Sequence, residues 1–168
     1  MDEREFDDFY AASYPRVVAQ LYAMIGNRDE AEECVQEAFV RAWSHRRKLE
    51  RAEHPEAWVR TTAHRLAVSR WRRTRLAKRP TDRAVGPRTT TAPPTESHVA
   101  LVRALEQLPE AQRHTLVLHH IADLPVHEVA RELGVPEGTV KARLSRGRAA
   151  LAALLTDDDG LQEGASHA

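Results

Sequence analysis

Apolar residues recur along this chain at helical spacing, and no valine- or isoleucine-rich alternating run of the kind that builds strands interrupts them. Phe6, Phe9, Tyr10, Val17, Val18, Leu21, Tyr22 and Ile25 form a first stripe, interrupted near Pro15, and Gly26-Asn27 reads as a turn. The clearest stripe follows. Ala31, Cys34, Val35, Ala38, Phe39, Ala42 and Trp43 stand at i, i+3, i+4, i+7, i+8, i+11 and i+12, one face of an amphipathic helix. Asp29, with Glu32 three residues on, resembles a capping box that opens it. A polar connection over 45–55 leads to another helix from about Pro55 to Leu76, with Trp58, Thr62, Leu66 and Ser69 turned inward.

Between 77 and 97 the periodicity vanishes. Lys78-Arg79-Pro80, Gly86-Pro87 and the threonine/proline run from Thr89 to Thr95 have the composition of an extended, flexible linker. A structureless loop of about 20 residues is uncommon inside one compact domain, so the pattern predicts two small helical domains, 1–76 and 98–155. The second begins with a helix through Val102, Leu105 and Leu108, then one from Pro109 to Ala122. Leu124 to Leu151 reads as a helix, a tight turn and a second helix. Val129, Ala130 and Leu133 share a buried face, Gly134 suits the left-handed stop, and Pro136 suits the first turn of the next helix. On that helix Val140, Leu144, Gly147 and Leu151 share one face, while Lys141, Ala142, Ser145 and Arg146 point the other way. A helix held by its back, with cations and small residues forward, fits the major groove of duplex DNA; an ordinary helical hairpin with a solvated basic face is the alternative. Residues 156–168 form an acidic, glycine-containing tail expected to be disordered.

Composition sharpens this all-α reading. Of 168 residues 42% are hydrophobic and only 5% aromatic, which favours helix-on-helix packing by Ala, Leu and Val. The formal net charge of zero hides a strong asymmetry: 60–83 carries nine Lys/Arg against the single acid Asp82, whereas 29–37 is acidic and the tail holds Asp157-Asp158-Asp159. Local field, not net charge, steers a polyanion. The basic run serves either as a phosphate-neutralising surface, with Trp71 as a stacking surface or packed anchor, or as a solvated helix end. The single cysteine, Cys34, excludes an internal disulfide, fits a reducing cytosol, and lies on an apolar stripe as a small core residue. With no long apolar run and no signal peptide, a cytoplasmic protein is expected, without membrane attachment.

Catalysis is not indicated. The nine histidines include no tight i, i+4 pair among His114, His119, His120 and His127, so no metal is expected. A phosphate-binding G-x-x-x-x-G-K-[ST] loop and a G-x-S-x-G elbow are both missing, and no cofactor is expected.

The motifs together resemble a known family. Asp29-Glu30-Ala31-Glu32-Glu33-Cys34-Val35-Gln36-Glu37-Ala38-Phe39, with Trp43 beyond, is similar to region 2.2 of the extracytoplasmic-function (ECF, group IV) bacterial sigma factors, and the chain resembles their small actinobacterial SigE-like type. Trp58-Val59-Arg60-Thr61-Thr62-Ala63, ending in Ser69-Arg70-Trp71-Arg72-Arg73, resembles regions 2.3 to 2.4. Leu108-Pro109 with Arg113, Glu128-Val129-Ala130, Gly134 and 138–144 resemble region 4. The resemblance spans about Phe6 to Leu155. It implies a non-enzymatic factor that binds core RNA polymerase and reads the −10 and −35 elements of promoter DNA, promoting its opening. By resemblance, Glu32, Glu33, Gln36 and Glu37 dock on the clamp coiled coil of the polymerase's largest subunit. The 45–56 connection with Arg60, His64, Arg65, Arg70, Arg72 and Arg73 holds the −10 element. Lys141, Ala142, Ser145 and Arg146 read the −35 element, Gly138 and Thr139 sit by a phosphate at the helix N-terminus, and Arg143 and Arg148 clamp the backbone. The family also admits an anti-sigma factor as a partner. One departure is Arg65, where many members carry asparagine. Two rivals remain at this stage: a dimeric operator-binding regulator, which leaves the acidic and basic helices without work, and a histidine-based enzyme or metal sensor, which the spacings disfavour.

Overall fold

The first stripe folds as one long helix, α1 (Glu3–Ile25), in the computed structural model, which describes residues 1–77 and 94–165. Asp2 caps it reciprocally: its carboxylate accepts from the Glu5 amide at 2.8 Å, and its own amide donates to the Glu5 carboxylate at 2.8 Å. Pro15 does not interrupt the helix as expected. It forfeits one backbone hydrogen bond, but buried Ser13, Tyr14, Val17 and Val18 around it hold the segment against its neighbours. Gly26, at φ 75°, ends α1 with its amide on the Tyr22 carbonyl.

Helix α2 (Arg28–Ser44) is capped by Asn27, whose side chain accepts from the Glu30 amide at 3.0 Å. The cap therefore stands two residues before the expected Asp29, which falls in the first turn, where its charge favours the helix dipole. Ala31, Cys34, Val35, Ala38, Phe39 and Ala42 are buried along it. The expected polar connection contains a helical turn, α3 (Arg46–Leu49), that buries Leu49. Helix α4 (Pro55–Ala77) follows, and its buried positions are Val59, Arg60, Ala63, Leu66 and Ala67. Of the inward face expected here Leu66 is buried, Trp58 and Thr62 are half-buried and Ser69 is exposed, and the small residues Ala63 and Ala67 are buried instead. Helices α1, α2 and α4 pack on one another, with Val17, Leu21, Val35 and Val59 fully excluded from water. Each such side chain contributes about 1.5–3 kcal/mol. Phe6, Tyr10 and Phe39 add edge-on ring contacts at 4.9–6.4 Å.

A second compact unit begins at Pro94. Thr95 caps α5 (Glu96–Glu106), which starts two residues earlier than expected, and α6 (Glu110–Leu116) runs into a π-helical turn, Val117–Ile121, where one regular helix was expected. The turn closes with the Ala122 amide on the Val117 carbonyl at 2.9 Å and the Leu124 amide on the Leu118 carbonyl at 3.0 Å. His119 Nδ1 lies 2.8 Å from the Leu124 carbonyl, tying this turn to the entry of α7 (Val126–Leu133). Gly134, at φ 67°, ends α7 as the sequence predicts, and Pro136 stands just before α8 (Glu137–Ala165). Helix α8 continues through 156–165, where a disordered tail was expected; half-buried Leu151, Leu154 and Leu155 carry it past the core. Residues 78–93 of the expected linker and 166–168 of the expected tail lie outside the described residues. Among the described residues there is no strand, and no helix is long and apolar enough to cross a membrane.

Candidate functional site

Helix α8 buries its back and offers its front. Val140, Leu144 and Gly147 are buried against α6 and α7, whereas Lys141, Ala142, Ser145 and Arg146 are all exposed. Gly147 is there for contact: a Cβ at this position would lie 2.9 Å from Leu116 Cδ1. At the helix start Gly138 is exposed and Thr139 half-buried, at the positive end of the dipole. Arg143 is half-buried and Arg148 exposed. Arg148 Nε donates to His120 Nε2 at 3.1 Å, so His120 is neutral in this arrangement. Burial, Arg148 and His119 together hold the His120 pKa below its ordinary value. Leu101, Leu105, Leu116, Val117, Leu151 and Leu155 line an apolar groove of roughly 320 Å³, with His120 and Arg148 as its polar members. Nothing in the sequence marks this groove separately, since leucines at helical spacing read as core.

In the first unit the acidic and basic residues expected to act apart are joined. Arg70 Nη1 and Nη2 donate to Glu33 at 3.0 Å and Glu37 at 2.9 Å. Glu37 also accepts from Arg41 at 2.8 Å, and Glu32 accepts from Arg28 at 3.2 Å. Gln36 donates to the Tyr14 hydroxyl at 3.4 Å. The acidic face of α2 is thus a charge-balanced network rather than a bare anionic patch. Arg70 lies on the side of α4 that faces α2, half-buried between the two carboxylates.

Arg60 is placed differently. It is 3% exposed, with Nη1 donating to buried Gln20 Oε1 at 3.0 Å, so it is a core residue and not available to a phosphate. Arg65, Arg72 and Arg73 are exposed, and His64 is half-buried. Between these cations Trp71 is 57% exposed, with the Arg75 guanidinium 5.0 Å from its ring centroid. Cys34 is fully buried; burial pushes its thiol pKa up to about 11, which makes it an inert core group.

The arrangement has the chemistry of a nucleic-acid interface: a basic helix end in one unit, and in the other a short turn with a helix whose exposed face is cationic and small. Two family models match, Sigma-70 region 2 over residues 9–77 and Sigma-70 region 4 over residues 98–151. The chain is 30% identical over 155 residues to the ECF RNA polymerase sigma factor EcfG of Rhodopseudomonas palustris, covering 90% of this chain and 85% of that one. It is 28% identical to the ECF RNA polymerase sigma factor SigW of Bacillus subtilis, covering 93% and 91%. Its fold is similar to that of the sigma factor RpoE of Bartonella quintana, solved in complex with the anti-sigma factor NepR, with a TM-score of 0.73, 24% identity and coverage of 91% and 98%.

Proposed function

The chain belongs to the ECF RNA polymerase sigma factor family, and we propose that it binds core RNA polymerase and directs it to a particular class of promoters. The observation that carries this reading is the α8 face: Lys141, Ala142, Ser145 and Arg146 exposed over a buried back, in a chain whose other unit matches region 2. On this reading α8 reads the −35 element, with Arg143 and Arg148 near the backbone and Gly138 and Thr139 at a phosphate. Arg65, Arg72 and Arg73, with His64, serve the −10 element, and their position on α4 supports this. Glu32, Glu33, Gln36 and Glu37 meet the polymerase clamp coiled coil, their carboxylates already ordered by Arg28, Arg41 and Arg70. Ordered side chains lower the cost of association.

The protein acts in the cytoplasm, without catalysis of its own. The motif pattern supports a place with the small actinobacterial SigE-like type. An anti-sigma factor is a further partner, by analogy with the RpoE–NepR complex. Reconstitution tests the whole reading. Core polymerase with this chain yields run-off transcripts from a discrete set of genomic promoters that core alone does not use; a chain that neither binds core nor changes the transcript set overturns it.

A further inference from the structure

The apolar groove of the second unit draws its walls from three helices, with Leu105 from α5, Leu116 from α6, and Leu151 and Leu155 from α8. Leu105, Leu116 and Val117 are its buried floor, whereas Leu101, Ile121, Leu151 and Leu155 keep part of their surface in water. Packing within the unit thus leaves aliphatic area that a ligand can still remove from water. The volume of roughly 320 Å³ falls within the range of small-molecule sites, about 300–1,000 Å³.

The lining is chemically narrow. Every Phe, Tyr and Trp of the chain lies at or before position 71, so the groove offers a flat ligand no ring to stack on. Its walls suit an aliphatic chain instead. His120 and Arg148 are its polar members, and no acid lines it among the described residues. Arg148 Nε donates to His120 Nε2 at 3.1 Å, which holds the guanidinium at the groove. No carboxylate pairs with Arg148 among the described residues. Arg41 and Arg70 in the first unit differ, since Glu37 meets both of their charges. A guanidinium without a counter-charge beside an apolar groove selects an anionic head, and its planar fork matches a carboxylate.

We propose that this groove binds a small amphipathic anion, a single aliphatic chain ending in a carboxylate, with the chain against the leucines and the head on Arg148. The proposal goes beyond the sigma-factor reading and does not rest on it, because the binding is measured on the full chain without DNA or polymerase. The probe is decanoate below its micelle concentration, followed by titration calorimetry. Wild type binds it saturably at a single site. Octanoate, two methylenes shorter, binds about fifteenfold more weakly. Decanol and decyltrimethylammonium, with the same chain but no negative charge, each bind at least about fivefold more weakly than decanoate. Arg148→Gln removes the preference for decanoate over decanol while leaving decanol affinity unchanged. Ala152 lines the groove and is exposed, so Ala152→Phe fills the site, excludes both ligands and unfolds in urea as wild type does.

Absence of saturable decanoate binding overturns the site. Decyltrimethylammonium bound as tightly as decanoate overturns the role of Arg148, and so does an Arg148→Gln variant that keeps the preference. A folded Ala152→Phe variant that binds decanoate as wild type does places the ligand elsewhere. Two further outcomes replace the ligand by a protein. A wild type that dimerises where Ala152→Phe stays monomeric, with decanoate leaving the dimer intact, makes the groove an interface between copies. An Ala152→Phe variant that loses core-polymerase binding, where decanoate does not compete with core, makes it a polymerase contact. Either one overturns the proposal.

Discussion

Arg60 and Arg65 stand little more than a turn apart on α4, and their charges go to opposite places. Arg65 is exposed, whereas Arg60 is 3% exposed and donates to Gln20 of α1 at 3.0 Å. A buried guanidinium is tolerated only when its donors are satisfied, and its long stem packs as an apolar group. Replacing it strands the Gln20 carbonyl and opens space between α1 and α4. Arg60→Ala is therefore expected to lower stability by about 1–3 kcal/mol in urea unfolding while leaving the salt slope of promoter binding unchanged. An altered slope with normal stability returns Arg60 to the DNA surface. Its position was not legible in the sequence, because an arginine is counted as polar whatever it touches. The same blindness hid the partners of Arg70: residue type shows that it is cationic, and only the packing of α4 on α2 shows that Glu33 and Glu37 hold it. Cys34 was legible because six apolar neighbours at helical spacing placed it on the stripe of α2.

At the scale of elements, the second unit turns on how closely α8 approaches α6 and on the π-helical turn beside it. Gly147 permits the approach, since a Cβ there would stand 2.9 and 3.2 Å from Leu116 Cδ1 and Cγ. Alanine gains roughly 0.8–1 kcal/mol of helix propensity that offsets this crowding. Valine is β-branched and gains far less, so Gly147→Val is expected to destabilise the protein by about 1–3 kcal/mol in denaturant titration. The helix-turn-helix was legible because apolar spacing and a left-handed glycine stop specify it locally, but Val117–Ile121 spells an unremarkable helix. Its π-turn is accompanied by bonds to the segment just beyond it, the Leu124 amide on the Leu118 carbonyl and His119 Nδ1 at the Leu124 carbonyl, which apolar spacing does not encode.

That turn also makes stability depend on pH. His120 accepts from Arg148, and burial, Arg148 and His119 depress its pKa below 6.5. A histidine with a depressed folded-state pKa binds its proton more readily when unfolded, so its contribution is intact above the ordinary value. That contribution is lost as pH falls from about 6.5 toward the folded-state value. His120→Gln keeps an acceptor for Arg148 without titrating. The fall in melting temperature between neutral and mildly acidic buffer is expected to shrink in this variant, and an unchanged fall assigns the acid sensitivity to other histidines.

At the scale of the molecule, a chain of zero net charge has to bind a polyanion, and it does so by segregating its charges. Acids of α2 pair with Arg28, Arg41 and Arg70, while Arg65, Arg72 and Arg73 on α4 and Lys141 and Arg146 on α8 are exposed. The asymmetry was legible in the sequence, but the internal pairing was not, because it depends on which faces of α2 and α4 meet. On the proposed reading, the two units hold two elements of one promoter. Each phosphate contact then adds about 0.9 to the logarithmic salt slope, whichever unit supplies it. Arg72→Ala with Arg73→Ala is expected to reduce the slope by about 1–2 on a promoter carrying both elements, and to leave it unaltered on a duplex carrying the −35 element alone. Arg146→Ala is expected to act on both DNAs. It should cost about 1–3 kcal/mol at one −35 position and leave substituted bases better tolerated there, because a side chain on the reading face contacts a base edge. Measured by anisotropy across a salt series, the pattern separates the two surfaces without dividing the chain. Equal slope losses on both DNAs from the α4 pair place that pair on the −35 element, and they remove the case for a promoter reader split between α4 and α8.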